Sequence, residues 1–359
     1  MFHVDKISEI LSTVIHPGTG KDIVSIGMVG DIVSNEDGVS IVLTPEKSND
    51  PFIASVKSVI VKTLKDALGY DVVINEIRIE PKITVGKQKE EQREILPGVK
   101  NIIAVSSGKG GVGKTTVAVN LAVALANKGF SVGLLDADVF GPSVPKMFNA
   151  EDFKPQVYTA NDTDMIIPLE KYGVKVLSTG FFVNPNDAVI WRGPMASNFL
   201  KQLIVQGDWD KLDYLLVDLP PGTSDIHITM VQEVPVTGAI VVTTPQEVAL
   251  ADAIKGIAMF NSDKINVPVL GLVENMSWFT PAELPSNKYY IFGRGGGKKL
   301  AKAANVPLLG QIPLVQSICE GSDQGEPVAL TETATENAFL LLAEKLIESV
   351  EKLTENNSK

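Results

Sequence analysis

Hydrophobic positions change period along this chain, and the changes divide it. Val4 to Val14 carries apolar residues at Val4, Ile7, Ile10, Leu11 and Val14, the stripe of an amphipathic helix, and His16-Pro17-Gly18 stops it. Two strands are predicted next, Ile23 to Val29 and, after Asn35-Glu36-Asp37-Gly38, Val39 to Leu43. A helix from Pro51 to Leu68 and an alternating strand from Val72 to Ile79 complete a small α+β domain over residues 1–82. From residue 100 the pattern becomes apolar strand, turn, helix, repeatedly. Predicted strands are Ile102 to Val105, Val132 to Leu135, Val174 to Leu177, Tyr214 to Val217, Ala239 to Thr243, Val269 to Val273 and Leu308 to Gly310. Most are continuous β-branched or leucine runs, which fits strands covered on both faces. Residues 100–359 are therefore read as an α/β domain, a doubly wound, mostly parallel sheet with its ligand at the carboxyl ends of the strands. The last segment, Thr333 to Leu353, aligns Phe339, Leu342, Leu346, Val350 and Leu353 on one face of a packing helix.

Between the two domains, residues 83–99 include Lys87-Gln88-Lys89-Glu90-Glu91-Gln92-Arg93-Glu94, a mixed-charge run without core residues that reads as a linker or exposed helix. A total of 359 residues with 44% hydrophobic is ample for two cores. The net charge of -11 disfavours broad binding to nucleic acid or an anionic membrane, since both would repel most of the surface. The first residues are too charged for a signal peptide, no apolar run approaches the roughly 18 residues of a membrane span, and one cysteine excludes an internal disulfide framework. A cytoplasmic protein is expected.

The chemistry concentrates where an apolar strand meets a helix. Ser106-Ser107-Gly108-Lys109-Gly110-Gly111-Val112-Gly113-Lys114-Thr115-Thr116 follows Asn101 to Val105 and precedes the helical spacing of Val117 to Lys128. Gly108-x-x-x-x-Gly113-Lys114-Thr115 fits the P-loop pattern in the context that the pattern requires. Gly108 and Gly113 let backbone N–H groups face inward at a helix N-terminus, Lys114 can reach the β- and γ-phosphates of ATP, and the Thr115 hydroxyl can ligate Mg²⁺. Asp136-Ala137-Asp138 ends a predicted strand, and a spacing of two puts both carboxylates on one side of an extended chain, one for the Mg²⁺ shell and one for the attacking water. Asp218 ends another strand as a Walker-B carboxylate, and Pro220-Pro221-Gly222 is a stiff turn whose glycine N–H can sense the γ-phosphate. Lys109 is a second lysine inside the loop. His16 reads as a turn residue and His227 as a structural histidine.

Gly108-Lys109-Gly110-Gly111-Val112-Gly113-Lys114-Thr115-Thr116 resembles the deviant Walker A motif of the MinD/ParA/nitrogenase iron protein class. Together with Asp136 to Ser143, Trp191-Arg192-Gly193-Pro194-Met195, Asp218 to Asp225 and Glu274-Asn275-Met276-Ser277, the chain is similar to the Mrp/ApbC iron–sulfur cluster carrier ATPases. Asp22 to Val29 resembles the small iron–sulfur-assembly domain often fused ahead of them. The resemblance implies a homodimer, with Lys109 reaching the partner's nucleotide, Asp138 activating water and Asp136, Asp218 and Thr115 around Mg²⁺. It places Asn275 against the adenine and adds Gly110, Gly111, Val112, Thr116, Gly222 and Pro313 to the nucleotide-binding set. Arg192 pairs with a carboxylate or faces the dimer partner. Iron–sulfur assembly proteins and apo-protein clients are the implied partners.

One departure stands out. The family's Cys-x-x-Cys after the Asn-Met-Ser segment is missing, with Pro281 and Leu284 at the aligned positions, and Cys319 is the sole cysteine. A homodimer then offers two thiolates where a typical cluster takes four. Cys319 is expected to be a buried, inert thiol. Trp278 to Phe292 is aromatic-rich and is read as a partner-docking surface or a lid on the dimer. Three functions follow as expectations: a dimeric ATPase carrier or scaffold for iron–sulfur clusters, a nucleotide-gated adaptor without a cluster, and a MinD/ParA-like positioning ATPase.

Overall fold

The structure, a computed structural model, describes residues 3–35, 38–45, 52–69, 72–79, 96–160, 163–183, 193–223, 227–228, 230–231, 234–281, 283–284, 286–331 and 334–357. Arg192, Asp225, Thr333 and the Lys87 to Glu94 run lie outside these residues. The chain separates into two compact units, Met1–Gln88 and Lys89–Lys359.

In the first unit, α1 (Val4–Leu11) and α2 (Ile53–Leu68) accompany a sheet of β1 (Val29–Asn35), β2 (Gly38–Leu43) and β3 (Ile74–Ile79). Strand β2 is central, antiparallel to β1 and parallel to β3. Its Val39, Ile41 and Leu43 are buried with Ile7, Leu11, Ile60 and Leu64 from the helices. This alternation is what one packed face produces. Residues 23–27 are not the strand that their β-branched composition predicts. The Asp22 carboxylate accepts the N–H groups of Val24 and Ser25, at 3.1 and 2.7 Å, and wins the chain for a turn that Gly27 completes at φ 65°. His16 sits in another turn, its Nδ1 accepting the Gly18 N–H at 3.1 Å.

In the second unit the strands are β4 (Val99–Ser107), β5 (Val132–Asp136), β6 (Val157–Ala160), β7 (Thr163–Ile166), β8 (Leu169–Lys171), β9 (Val174–Ser178), β10 (Leu212–Asp218), β11 (Gly238–Thr243), β12 (Val269–Glu274) and β13 (Leu308–Gln311). The helices are α3 (Lys114–Asn127), α4 (Val144–Met147), α5 (Gly193–Gln206), α6 (Glu247–Phe260), α7 (Gly296–Ala303), α8 (Gln316–Gln324) and α9 (Ala334–Asn357). Among the described residues, one sheet runs β13-β12-β11-β4-β10-β5-β9-β8, parallel throughout except for the edge strand β8. A separate hairpin pairs β6 with β7.

The doubly wound expectation holds, and the residues of β4 show why. Ile103 and Val105 pack into a core with α3 and α9, while Ile102 and Ala104 pack into another with α5, α6 and α7. A strand covered on both sides has no polar positions left to alternate. Helix α3 is enclosed too, each residue from Val117 to Leu125 being 2% exposed or less. The chain leaves β4 for β5, yet β10 lies between them in the sheet. The carboxyl ends of β4, β10 and β5 therefore stand side by side, with Asp218 opposite Val105 on one flank and Asp136 on the other.

Candidate functional site

The loop leaving β4 is shaped by two kinds of glycine. Gly111 and Gly113 adopt φ 81° and 78°, the left-handed region that costs L-residues strain, and Gly113 opens α3. Gly108 is needed for proximity: a Cβ there would overlap the backbone of Asp252 and Ala253 in α6. The loop walls a cavity of about 270 Å³ lined by Ser107, Lys109 to Thr116, Asp138, Gly141, Ser143, Met147 and Pro221. Of the residues predicted from sequence, Lys109, Gly110, Gly111, Val112, Gly113, Lys114, Thr115, Thr116 and Asp138 meet at this cavity. Lys109 is half-buried and makes no ion pair among the described residues.

Behind the cavity, Asp218 is fully buried and grips two loop residues. Lys114 Nζ donates to Oδ1 at 2.6 Å and Thr115 Oγ1 to Oδ2 at 2.6 Å. Burial pushes the Asp218 carboxyl above its ordinary value, and the Lys114 ammonium pulls the other way. A buried carboxylate held by an ammonium and a hydroxyl is a cation site whose present cation belongs to the protein.

Asp136 and Asp138 do not share a side. Strand β5 ends at Asp136, and the Ala137 N–H turns to the Asp218 carbonyl at 2.9 Å, so the two-residue period lapses there. Asp138 reaches the cavity. Asp136 is fully buried, its oxygens accepting from Ser178 Oγ at 2.9 Å, the Asp138 N–H at 3.1 Å and the Val144 N–H at 3.3 Å. Burial first and the Asp218 charge second push its carboxyl up to about 7.

Three more of the sequence-derived residues stand back from the cavity. Gly222, at φ 88°, gives its N–H to the Ser107 carbonyl at 2.9 Å. Asn275 is buried and donates from Nδ2 to the Val112 carbonyl at 2.9 Å, so it braces the loop. Pro313 follows Ile312, whose N–H donates to the Glu274 carbonyl at 2.9 Å. His227 is buried. Cys319 corrects the expectation of burial: α8 buries none of its residues, and the thiol is exposed, 3.8 Å from the Asp323 carboxylate one turn on. Among the described residues, no group of three or more His, Cys, Asp or Glu side chains is placed to hold a metal ion.

Sequence reasoning gave no role to Glu274. It ends β12 with 1% exposure, and its carboxylate accepts from Gly297 N–H at 2.5 Å, Gln311 Nε2 at 2.6 Å and Ser277 Oγ at 2.9 Å. Its neighbours Asn275 and Met276, the latter at φ 54°, press on the Val112–Gly113 turn. The available signal was an acid ending an otherwise apolar strand. Gly141, Ser143 and Met147 of the cavity wall were also missed; Gly141 and Ser143 lie in the Asp136 to Ser143 match, and Met147 gave no signal.

A strand, a glycine loop opening a helix, and a Lys–Thr–Asp cluster at the switch point of a parallel sheet define a P-loop NTPase. Residues 98–347 match the family described as NUBPL iron-transfer P-loop NTPase, and residues 4–75 match that described as iron-sulfur cluster assembly protein. The chain belongs to the former family and carries the latter domain ahead of it. It is 42% identical over 349 residues to an iron-sulfur cluster carrier protein of Synechocystis sp., covering 96% of each. To the protein of that name in Haemophilus influenzae it is 43% identical over 344 residues, 95% of this chain and 90% of that one. A nucleotide-binding protein from Archaeoglobus fulgidus, solved in complex with ADP, is 35% identical with a TM-score of 0.58, over 68% of this chain and 93% of that one. No helix among the described residues is long and apolar enough to cross a membrane.

Proposed function

We propose that this chain is an ATP-binding and ATP-hydrolysing dimeric carrier or scaffold that serves iron–sulfur cluster assembly and transfer to apo-proteins in the cytoplasm. The observation that carries the ATPase is the Asp218 grip on Lys114 and Thr115 at the wall of the cavity that the glycine loop encloses. The names of the relatives carry the cargo. When a triphosphate enters, Lys114 exchanges the Asp218 carboxylate for phosphate oxygens, and the loop N–H groups take the rest of the charge. Thr115 and Asp218 are the residues that would hold Mg²⁺, which when bound neutralises charge on the β- and γ-phosphates. Their fit rests on the donor set, a hydroxyl and a buried carboxylate already paired with a cation.

Asp138, at the cavity wall, accepts the proton of the attacking water and aligns it. Asp136 holds Ser178 and the turn through Val144, which keeps Asp138 in place. Lys109, which makes no ion pair among the described residues, completes the charge on the partner's phosphates from across a dimer interface. Asn275, which braces the loop through the Val112 carbonyl, and Pro313 take the base.

The cluster is cargo, and this chain supplies little to hold it: Cys319 is alone and exposed. Most of the ligands then come from partner proteins or small thiols. That same observation favours one second reading, a nucleotide-gated adaptor that binds clients or assembly proteins without carrying the cluster. Anaerobic loading with iron and sulfide, followed by transfer to a purified apo-protein with and without ATP and Mg²⁺, separates the two. ATP-dependent activation of the apo-protein is the expected result. A chain that hydrolyses ATP yet stays metal-free and activates nothing is an adaptor, and one that fails to hydrolyse ATP overturns both readings.

A further inference from the structure

In a chain of net charge -11, residues 284–319 contain Lys288, Arg294, Lys298, Lys299 and Lys302 and not one Asp or Glu. All five cations are exposed, and none makes an ion pair among the described residues. Helix α7 explains three of them. It buries Gly296, Gly297, Leu300 and Ala301, so Lys298 and Lys302, four apart, and Lys299, three before Lys302, share the outward strip.

The other two are held ready. Lys288 Nζ lies 3.9 Å from the centre of the Trp278 ring, and the Arg294 guanidinium 4.7 Å from that of Tyr290. A paired backbone bridge between Phe279 and Tyr289, with both hydrogen bonds at 2.8 Å, closes the loop that carries them. Glu274 fastens the two ends of the segment through Ser277 and Gly297. Side chains fixed beforehand lose little entropy on binding. Among these cations stand apolar groups: Tyr289 is 46% exposed, Leu284 48% and Ile291 60%.

We infer that the 284–294 loop and the outward strip of α7 form a docking face for an acidic protein segment bearing apolar anchors. Charge decides among polyanions. An extended one, nucleic acid or an anionic bilayer, also meets the acidic remainder of the protein, whereas a short acidic segment meets only what lies within the screening length of about 10 Å. The tyrosines and Ile291 give such a segment apolar surface to cover, and the cations give it orientation and a fast approach.

The probe is a fluorescein-labelled glutamate-rich peptide with leucine anchors, titrated with the full chain in the absence of nucleotide. Its outcome is therefore independent of the ATPase reading. Binding that weakens steeply with salt is expected, and the K298E/K299E/K302E variant should bind at least tenfold more weakly with ATP turnover intact. The K298Q/K299Q/K302Q variant gives the same reading, with a smaller loss, if the reversal does not fold. A peptide that does not bind, or binds the reversed chain as well as the wild type, overturns the assignment. So does capture of phosphatidylglycerol vesicles or a single-stranded oligonucleotide through these lysines when the peptide is ignored.

Discussion

Two buried carboxylates end strands of the same sheet and are satisfied in opposite ways. Asp218 is held by an ammonium and a hydroxyl that both face a cavity. Glu274 is held by a backbone N–H, an amide and a serine hydroxyl, and is not among the residues that line that cavity. The first set can be exchanged for a ligand, because Lys114 and Thr115 have somewhere else to point. The second is closed, and what it fixes is posture: the loop on one side and the start of α7 on the other. A buried charge therefore marks chemistry here only when its partners are mobile and reach open space.

Removing Lys114 should break the comparison most visibly. In Lys114→Ala the Asp218 carboxylate loses its cation, which costs about 3–5 kcal/mol when a buried pair is broken, and tight nucleotide binding disappears. Denaturant unfolding and ATP titration calorimetry read the two losses, and unchanged affinity would remove Lys114 from the phosphate site. Lys109→Ala tests the lysine that has no ion pair among the described residues. Binding should persist while turnover falls by about 10³-fold, as for an arginine finger, and mixing with an ATPase-dead Lys114→Ala chain should restore part of it if Lys109 works in trans.

Glu274→Ala probes the closed site. Ser277 keeps the backbone carbonyl of residue 274 as acceptor at 2.8 Å, but leaving Gly297 and Gln311 without theirs costs about 2 kcal/mol, and amide exchange at Gly297 should speed up while ATP still binds. Equal loss of ATP affinity in Glu274→Ala and Lys114→Ala would erase the distinction. The last effect is a slope. Asp136 releases its proton near 3.8 when unfolded and at about 7 in the fold, so the native state binds more protons between these values and stability falls as pH rises through that window. Asp136→Asn should flatten that part of a melting-temperature profile, and an unaltered slope would assign it to other groups.

What could be read from sequence follows from the same physics. The strands buried on both faces were legible as continuous apolar runs, and the P-loop as a spacing that only its backbone geometry demands. Strands β6, β7 and β8 were not, because Val157, Tyr158 and Thr159 are exposed and no burial pattern marks them. Residues 23–27 misled because one side-chain oxygen at Asp22 outweighs the preference of three β-branched or apolar neighbours. The split between Asp136 and Asp138 depends on where the strand stops, a matter of one residue. The role of Glu274 depends on donors at positions 297 and 311, which no local window contains. The exposure of Cys319 depends on α8 burying none of its residues and turning only its Ile318 side toward the core.

Gly108 has a mechanical consequence. Because it rests on the α6 backbone with no room for even a methyl group, the phosphate loop has no slack on that side. Helix α6 has 14 residues and is about 21 Å long, and about 12 Å of it runs on from this point of contact to Phe260. Any push delivered by a nucleotide at the loop is handed to a rigid rod, and the far end of that rod is where its arrival can be felt.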